Sequence, residues 1–201
     1  MNLNHTSKSN PTICALILAG GQGTRMAHQE KGLALLLGRA LIGHVIDRIK
    51  PQVDRLLINC NRHSLAYQQF GYPLIEDNIM DFSGPLRGIL SARASLGEDL
   101  CFVVPCDMPR LPLDVVQRLH VGLQDHDAAY VVAAGQTQPL VLLLKPHVIS
   151  QIDPYLISGR RSVKGWLRML DTVKVDFDNT ADFNNINDFD QLATAANQIV
   201  D

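Results

Sequence analysis

Apolar positions along the chain fall into two alternating patterns. Short, nearly unbroken apolar runs read as strands buried on both faces, and stretches with apolar residues at three- and four-residue spacing read as helices. The first run covers residues 13–19. Further runs at 55–59, 73–75 and 100–104 predict three more strands, and 173–177 a final one. Runs at 128–134 and 139–144 predict two strands joined across Gly135-Gln136, in antiparallel pairing. Residues 33–37 predict a short extended segment. Leu41, Ile42, Val45, Ile46 and Ile49 recur at helical spacing, and Pro51 ends that helix. A turn over 81–88 feeds a helix through 94. Pro112 suits the first turn of a helix running to about 123. Residues 146–157 and 162–170 read as helices around the loop Ser158-Gly159-Arg160-Arg161. A terminal helix follows 183–188.

Strands that alternate with helices predict an α/β fold with a mostly parallel central sheet covered on both faces. The expected architecture is a single-domain, Rossmann-like three-layer sandwich. Residues 1–10 are polar and read as a flexible N-terminal tail, leaving 11–201 as the domain.

The first strand empties into Gly20-Gly21-Gln22-Gly23-Thr24-Arg25-Met26, followed by Glu30-Lys31-Gly32. Ligands of open α/β sheets bind outside the carboxyl ends of the strands. Glycine lets backbone N–H groups approach phosphate oxygens because no Cβ intervenes. Arg25 and Lys31 can neutralise one anion together. The stretch therefore reads as a triphosphate loop, against the alternative of a flexible glycine loop beside two solvated cations. It is not a dinucleotide fingerprint, since G-x-G-x-x-G fails at Met26, nor a Walker A loop, since Glu30 precedes Lys31 and Gly32 follows it.

Three other features fall at predicted strand ends, so one rim collects them all. Asp107 lies between Pro105 and Pro109, which restrict the backbone and fix the direction of the carboxylate. Such a carboxylate opposite a triphosphate suits Mg²⁺, which takes one or two carboxylates plus substrate phosphates; the alternative is a turn residue capping backbone. Asn59 and Asp77 offer an amide and a carboxylate to the edge of a base, the carboxylate suiting the N1–H and N2–H₂ donors of guanine. The alternative is that both close turns. Asn185 and Asn187 alternate about Ile186, so both point to one face of an extended segment, or form an asparagine-rich turn. Arg160 and Arg161 either meet an anionic second substrate or belong to an exposed charged loop. No Ser-His-Asp order or cysteine–histidine pairing stands out for nucleophilic catalysis.

Composition narrows the classes. The 201 residues are 46% hydrophobic and 19% charged, enough for one sizeable core. A net charge of −2 argues against a general nucleic-acid binder. No apolar run reaches the roughly 18 residues of a membrane span, and residues 1–10 lack a signal-peptide core. The four cysteines form no C-x-x-C pair and the seven histidines show no zinc spacing. These features predict a reduced, cytoplasmic protein.

The motifs Leu18-Ala19-Gly20-Gly21-x-x-x-Arg25-Met26, Lys31-Gly32, Asn59-x-Asn61-Arg62, Glu76-Asp77, Gly84-Pro85-Leu86-x-Gly88, Pro105-Cys106-Asp107-x-Pro109 and Asn185-Ile186-Asn187 resemble, in this order, the bacterial molybdenum cofactor guanylyltransferases (MobA-type). The resemblance covers roughly residues 13–198 and implies a nucleotide-diphospho-sugar transferase-like fold. It implies transfer of GMP from GTP to molybdenum-molybdopterin, giving the guanine dinucleotide cofactor and pyrophosphate. It further implies that Leu18, Ala19, Gly20 and Gly21 line the GTP site, that Lys31 binds phosphate and that Asn59 and Asp77 contact the nucleoside. Asp107 would bind GTP and Mg²⁺, and Asn185 and Asn187 would face the molybdopterin. From the residues themselves, Arg25 joins Lys31 and Asp107 as a candidate catalytic group, holding charge on the phosphates. The implied protein is a monomer that meets other cofactor-assembly proteins transiently. Three departures stand out: Ala27-His28 follows Met26 where Gly-Gly is usual, Glu30 replaces the aspartate usual before the lysine, and Arg87 replaces a commonly small residue, as a surface variation or an extra anion contact. Competing readings are a cytidylyltransferase relative, another NTP-dependent nucleotidyltransferase and a non-catalytic cofactor-delivery module. The Gly20-Gly21 pair leaves room for a purine and favours guanine.

Overall fold

The computed structural model describes residues 11–20, 30–62, 64–79, 84–188 and 191–195. β1 (Ile13–Leu18) is buried along its whole length. After a 3₁₀ turn at Lys31–Leu33, β2 (Leu35–Leu36) and β3 (Arg39–Ala40) form a small hairpin. The chain continues through α1 (Leu41–Ile49), β4 (Arg55–Asn59), α2 (Ser64–Gln68), β5 (Leu74–Ile75), α3 (Pro85–Leu96) and β6 (Leu100–Pro105). It is completed by α4 (Val115–Leu123), β7 (Ala128–Ala133), β8 (Gln136–Leu144), α5 (Ile152–Ile157), α6 (Val163–Leu167) and β9 (Thr172–Phe177), with a last helical turn at 191–195.

The main sheet has seven strands in the order β5-β4-β1-β6-β8-β7-β9. All neighbours pair in parallel except β8, which runs against both β6 and β7. Two cores follow from the period of two in a strand. Ile13, Ala15 and Ile17 face one core with residues of α1 and α4. Cys14, Leu16 and Leu18 face the other with residues of α3, α5 and α6. This two-sided burial is why β1 and β6 carry no polar alternation. The expected three-layer α/β architecture is what the chain adopts.

Local differences have local causes. The extended segment predicted at 33–37 is broken, because Leu37 and Gly38 both take positive φ (51° and 78°) and turn the chain into β3. That is the backbone a two-residue hairpin requires. The same geometry at Ala134 and Gly135 (43° and 80°) puts the β7–β8 turn one residue earlier than predicted, so Gln136 already pairs with Ala133. The helix expected over 146–157 is a 3₁₀ stretch at Pro146–Gln151 followed by α5. α6 is shorter than expected, and starts where the Ser162 side chain accepts the Gly165 N–H. α4 begins at Val115, after Pro112 rather than on it. The short α2 carries only one buried residue, Tyr67, and so leaves no periodic signal.

Phe102, in the middle of β6, is fully buried. Phe102→Ala is expected to lower the unfolding free energy by about 3–5 kcal/mol, measured by urea denaturation.

Candidate active site

The carboxyl ends of three parallel neighbours, β4, β1 and β6, are tied together by backbone hydrogen bonds. The Ala19 N–H donates to the Asn59 carbonyl at 2.8 Å, and the Cys106 N–H to the Leu18 carbonyl at 3.1 Å. Leu18 and Ala19 are buried by this, and Gly20 emerges exposed. Gly21 and Arg25, two residues of the predicted triphosphate loop, lie outside the described residues.

On one side of β1 the chain assembles a charged group. Asp107 follows β6 and is buried. The Ile186 N–H donates to its carbonyl at 2.9 Å, which fixes the 184–188 segment beside it. The Lys31 ammonium stands 3.5 Å from Asp107 Oδ2 and donates to Asn187 Oδ1 at 2.6 Å. Asp107 Oδ1 is buried without a hydrogen-bond partner. A buried carboxylate oxygen in that state is rare, and it has a lone pair free to meet a cation or a hydrogen-bond donor. Burial pushes the Asp107 carboxyl above its ordinary range, and Lys31 pulls it back only in part.

Gly32 explains how Lys31 comes so close. A Cβ at this position would lie 2.7 Å from the Tyr67 hydroxyl and 3.2 Å from Cys106 Sγ. Tyr67 is fully buried and cannot swing away. Burial, with Cys106 and Glu30 nearby, pushes the Tyr67 hydroxyl far above the usual range for a phenol. Burial also pushes the Cys60 thiol up to about 11, with Glu76 and Glu30 adding to it. Cys106 is raised further, chiefly by burial. Neither thiol is an activated nucleophile.

On the other side, Asn59 and Asp77 meet. Asn59 Nδ2 donates to Asp77 Oδ1 at 2.9 Å and to the Ile75 carbonyl at 3.1 Å. Asn61 Nδ2 donates to Asp77 Oδ2 at 2.7 Å, and Asn61 Oδ1 accepts the Asp77 N–H at 2.8 Å. Asn59 is buried, whereas Asp77 is half-exposed. A Cβ at Gly88, in the first turns of α3, would lie 2.3 Å from Asn59 Oδ1.

Ile186 turns into a small core with Leu36 and Leu41. Asn185 and Asn187 line a cavity of about 450 Å³, together with Ile186, Arg110, Gln191 and Thr194. Arg160 and Arg161 are used within their own loop. Arg160 lies over the Tyr155 ring and donates to Ser158, and Arg161 donates to the Leu156 carbonyl. Arg87 is buried in α3, not a surface variation.

Asn61, Gly88, Tyr67 and Arg110 carried no assigned role in the sequence. Asn61 had a usable signal, its position two residues after Asn59 at a strand end. The part played by Gly88 depends on packing between α3 and β4, which spacing does not reveal.

A family model, the MobA-like NTP transferase domain, matches residues 15–174. A molybdenum cofactor guanylyltransferase of Shewanella loihica is 41% identical over 181 residues, 89% of this chain and 92% of the relative. One from Shewanella baltica is 42% identical over 190 residues, covering 93% and 97%. Among solved structures, molybdopterin-guanine dinucleotide biosynthesis protein A of Archaeoglobus fulgidus superposes with a TM-score of 0.76 at 23% identity, covering 93% of this chain and 98% of that one.

Two stability measurements probe the charged group. Gly32→Ala is expected to lower stability by about 1–3 kcal/mol through overpacking against Tyr67, read by urea denaturation. Because the folded protein holds the Asp107 carboxyl above its ordinary value, ionisation of this group opposes folding. The loss grows as pH rises from about 4, the ordinary aspartate value, through the raised one. Asp107→Asn is therefore expected to raise the thermal midpoint of the ligand-free protein at neutral pH. The gain should vanish below about pH 4, where the acid is neutral in both states.

Proposed function

Because the chain belongs to the MobA-like NTP transferase family, we propose that it transfers GMP from GTP to molybdenum-molybdopterin, releasing pyrophosphate. The observation that carries this reading is the convergence of Lys31, Asp107 and Asn187 at 2.6–3.5 Å beside the end of β1. A cation, a buried carboxylate and an amide at one strand-end rim suit a triphosphate on one side and an anionic acceptor on the other.

The residues divide the work between two substrates. Gly20 and Gly21 bring backbone close to the triphosphate, with Leu18 and Ala19 flooring the site. Lys31, with Arg25 from the same loop, offsets charge on the phosphates. Asp77 accepts from the N1–H and N2–H₂ edge of guanine, with Asn59 beside it. Asn185 and Asn187 bound the cavity offered to the pterin. The acceptor is already an anionic phosphate oxygen, so in-line attack on the α-phosphorus needs alignment more than a base. That agrees with the absence of an activated cysteine among the described residues.

The unpartnered Oδ1 of Asp107 fits Mg²⁺. No group of three or more His, Cys, Asp or Glu that would hold a metal on its own occurs among the described residues. Mg²⁺ needs only one or two carboxylates when substrate phosphates complete its shell. When bound it would offset the charge that develops on the leaving pyrophosphate.

We further propose a cytoplasmic monomer that meets other cofactor-assembly proteins transiently. No helix among the described residues is long and apolar enough to cross a membrane, and Cys14, Cys60, Cys101 and Cys106 are all free.

The test is pyrophosphate release from GTP, CTP or ATP in the presence of Mg²⁺ and molybdenum-molybdopterin. GTP is expected to be the preferred substrate; preference for CTP would move the chain to the cytidylyltransferase reading. Lys31→Ala is expected to lower kcat/KM by roughly 100-fold or more, the scale for losing one preorganised charge-stabilising group. Asp107→Ala is expected to abolish Mg²⁺-dependent turnover, and wild-type rates in it would remove the metal role.

A further inference from the structure

Asn61 has no part in the reaction as described so far, yet it makes two of the hydrogen bonds that hold Asp77. It sits in the bend after β4. Its Oδ1 accepts the Asp77 backbone N–H at 2.8 Å, and its Nδ2 donates to Asp77 Oδ2 at 2.7 Å. These bonds close a ring that fixes both the backbone and the side chain of Asp77.

Asn59 acts from the opposite side. A side-chain amide has two N–H donors. In Asn59 one goes to Asp77 Oδ1 and the other to the Ile75 carbonyl, 2.9 and 3.1 Å away. Its Oδ1 lies where a Cβ on Gly88 would be 2.3 Å away, so it is covered by α3. Asn59 is buried, and it has no amide hydrogen left for a base.

Each carboxylate oxygen of Asp77 thus receives one amide hydrogen. The terminal torsion of an aspartate is otherwise broad. Two donors, one per oxygen, fix the plane of the carboxylate. Each oxygen has about two lone-pair sites, so one remains on each for an incoming ligand. Asp77 is half-exposed, and Asn61 borders the start of the glycine loop, with its Nδ2 3.3 Å from where a Gly20 Cβ would be.

A fixed pair of parallel acceptors is selective. Guanine presents two adjacent donors, N1–H and N2–H₂, that match it. Cytosine and adenine present an acceptor next to a donor on their pairing edges, and that acceptor would face a carboxylate oxygen. A carboxylate free to rotate would discriminate less, because it could turn to offer a single oxygen.

We propose that Asn61 is a positioning residue for nucleotide selectivity, which together with Asn59 locks the Asp77 carboxylate in the plane that matches guanine, while neither amide reads the base. This rests on the reading of Asp77 as the guanine acceptor given above. It differs from the sequence expectation in giving Asn59 a supporting role and bringing in Asn61.

The test is direct binding of GTP and ITP to the purified full-length chain, followed by calorimetry. ITP lacks the 2-amino donor and reports whether both acceptors are in place. The wild type is expected to favour GTP. Asn61→Ala is expected to lower the GTP:ITP affinity ratio by about tenfold, a difference of about 1.4 kcal/mol. Asn61→Asp keeps the acceptor for the Asp77 N–H and removes the donor to Oδ2. It should lose the same selectivity, and it serves in place of Asn61→Ala if thermal melting shows that variant to be unfolded. Asp77→Asn should lower the ratio at least as far, and adding Asn61→Ala to it should change little, because the two act through one carboxylate.

The outcomes separate the two layers of the argument. If Asp77→Asn lowers the ratio and the folded Asn61 variants leave it at the wild-type value, the positioning role is overturned and the base reading stands. Additive losses in the double variant would mean that Asn61 acts independently of Asp77, and would also overturn it. If Asp77→Asn leaves the ratio unchanged, the guanine reading of Asp77 is overturned and this proposal falls with it.

Discussion

β1 is packed on all sides. β4 and β6 pair with it in parallel, residue by residue, from Ile13 and Cys14 through Leu18. Its alternate side chains enter opposite cores. A strand so enclosed has no freedom of register, since a one-residue slip would exchange the contents of both cores. The rim depends on that constraint. With Leu18 set level with Asn59 and Pro105, the next residues of the three strands emerge together, and Gly20, Asn61 and Asp107 fall at their ends.

The rim then separates into two different kinds of order. Around Asp77 the polar groups satisfy one another, with two amides against one carboxylate. Around Asp107 they do not, because one buried oxygen lacks a partner and Lys31 reaches Oδ2 only at 3.5 Å. The first arrangement suits recognition, which needs a fixed shape in advance. The second suits chemistry, in which charge must be met as it arrives. A buried, under-compensated carboxylate opposes folding and is held in place by the packing around it.

Much of this was legible from residue order. The strands β1, β4 and β6 follow from apolar runs bounded by polar turns, and β1 ends within one residue of its predicted limit. Asp107 stood out because two prolines flank it. What the sequence left hidden came from contacts between distant segments. Arg87 reads as either a surface variation or an extra anion contact, and burial in α3 rules out the first. The pairing of Lys31 with Asn187 depends on Ile186 entering a small core with Leu36 and Leu41, which no spacing rule anticipates. The two hairpin turns were missed or displaced because Leu37 and Ala134, neither of them a turn-forming residue by type, take positive φ.

The bond from Lys31 to Asn187 spans 156 residues. Closing so long a loop is entropically slow compared with pairing neighbouring strands. During synthesis the glycine loop and Asp107 emerge well before Asn187 does. A chain paused at that stage holds Asp77 and Asp107 but lacks the acceptor that seats the lysine. The contact between Lys31 and Asn187 is therefore a late event in the life of the nascent chain, arriving after the last strand of the main sheet has been made.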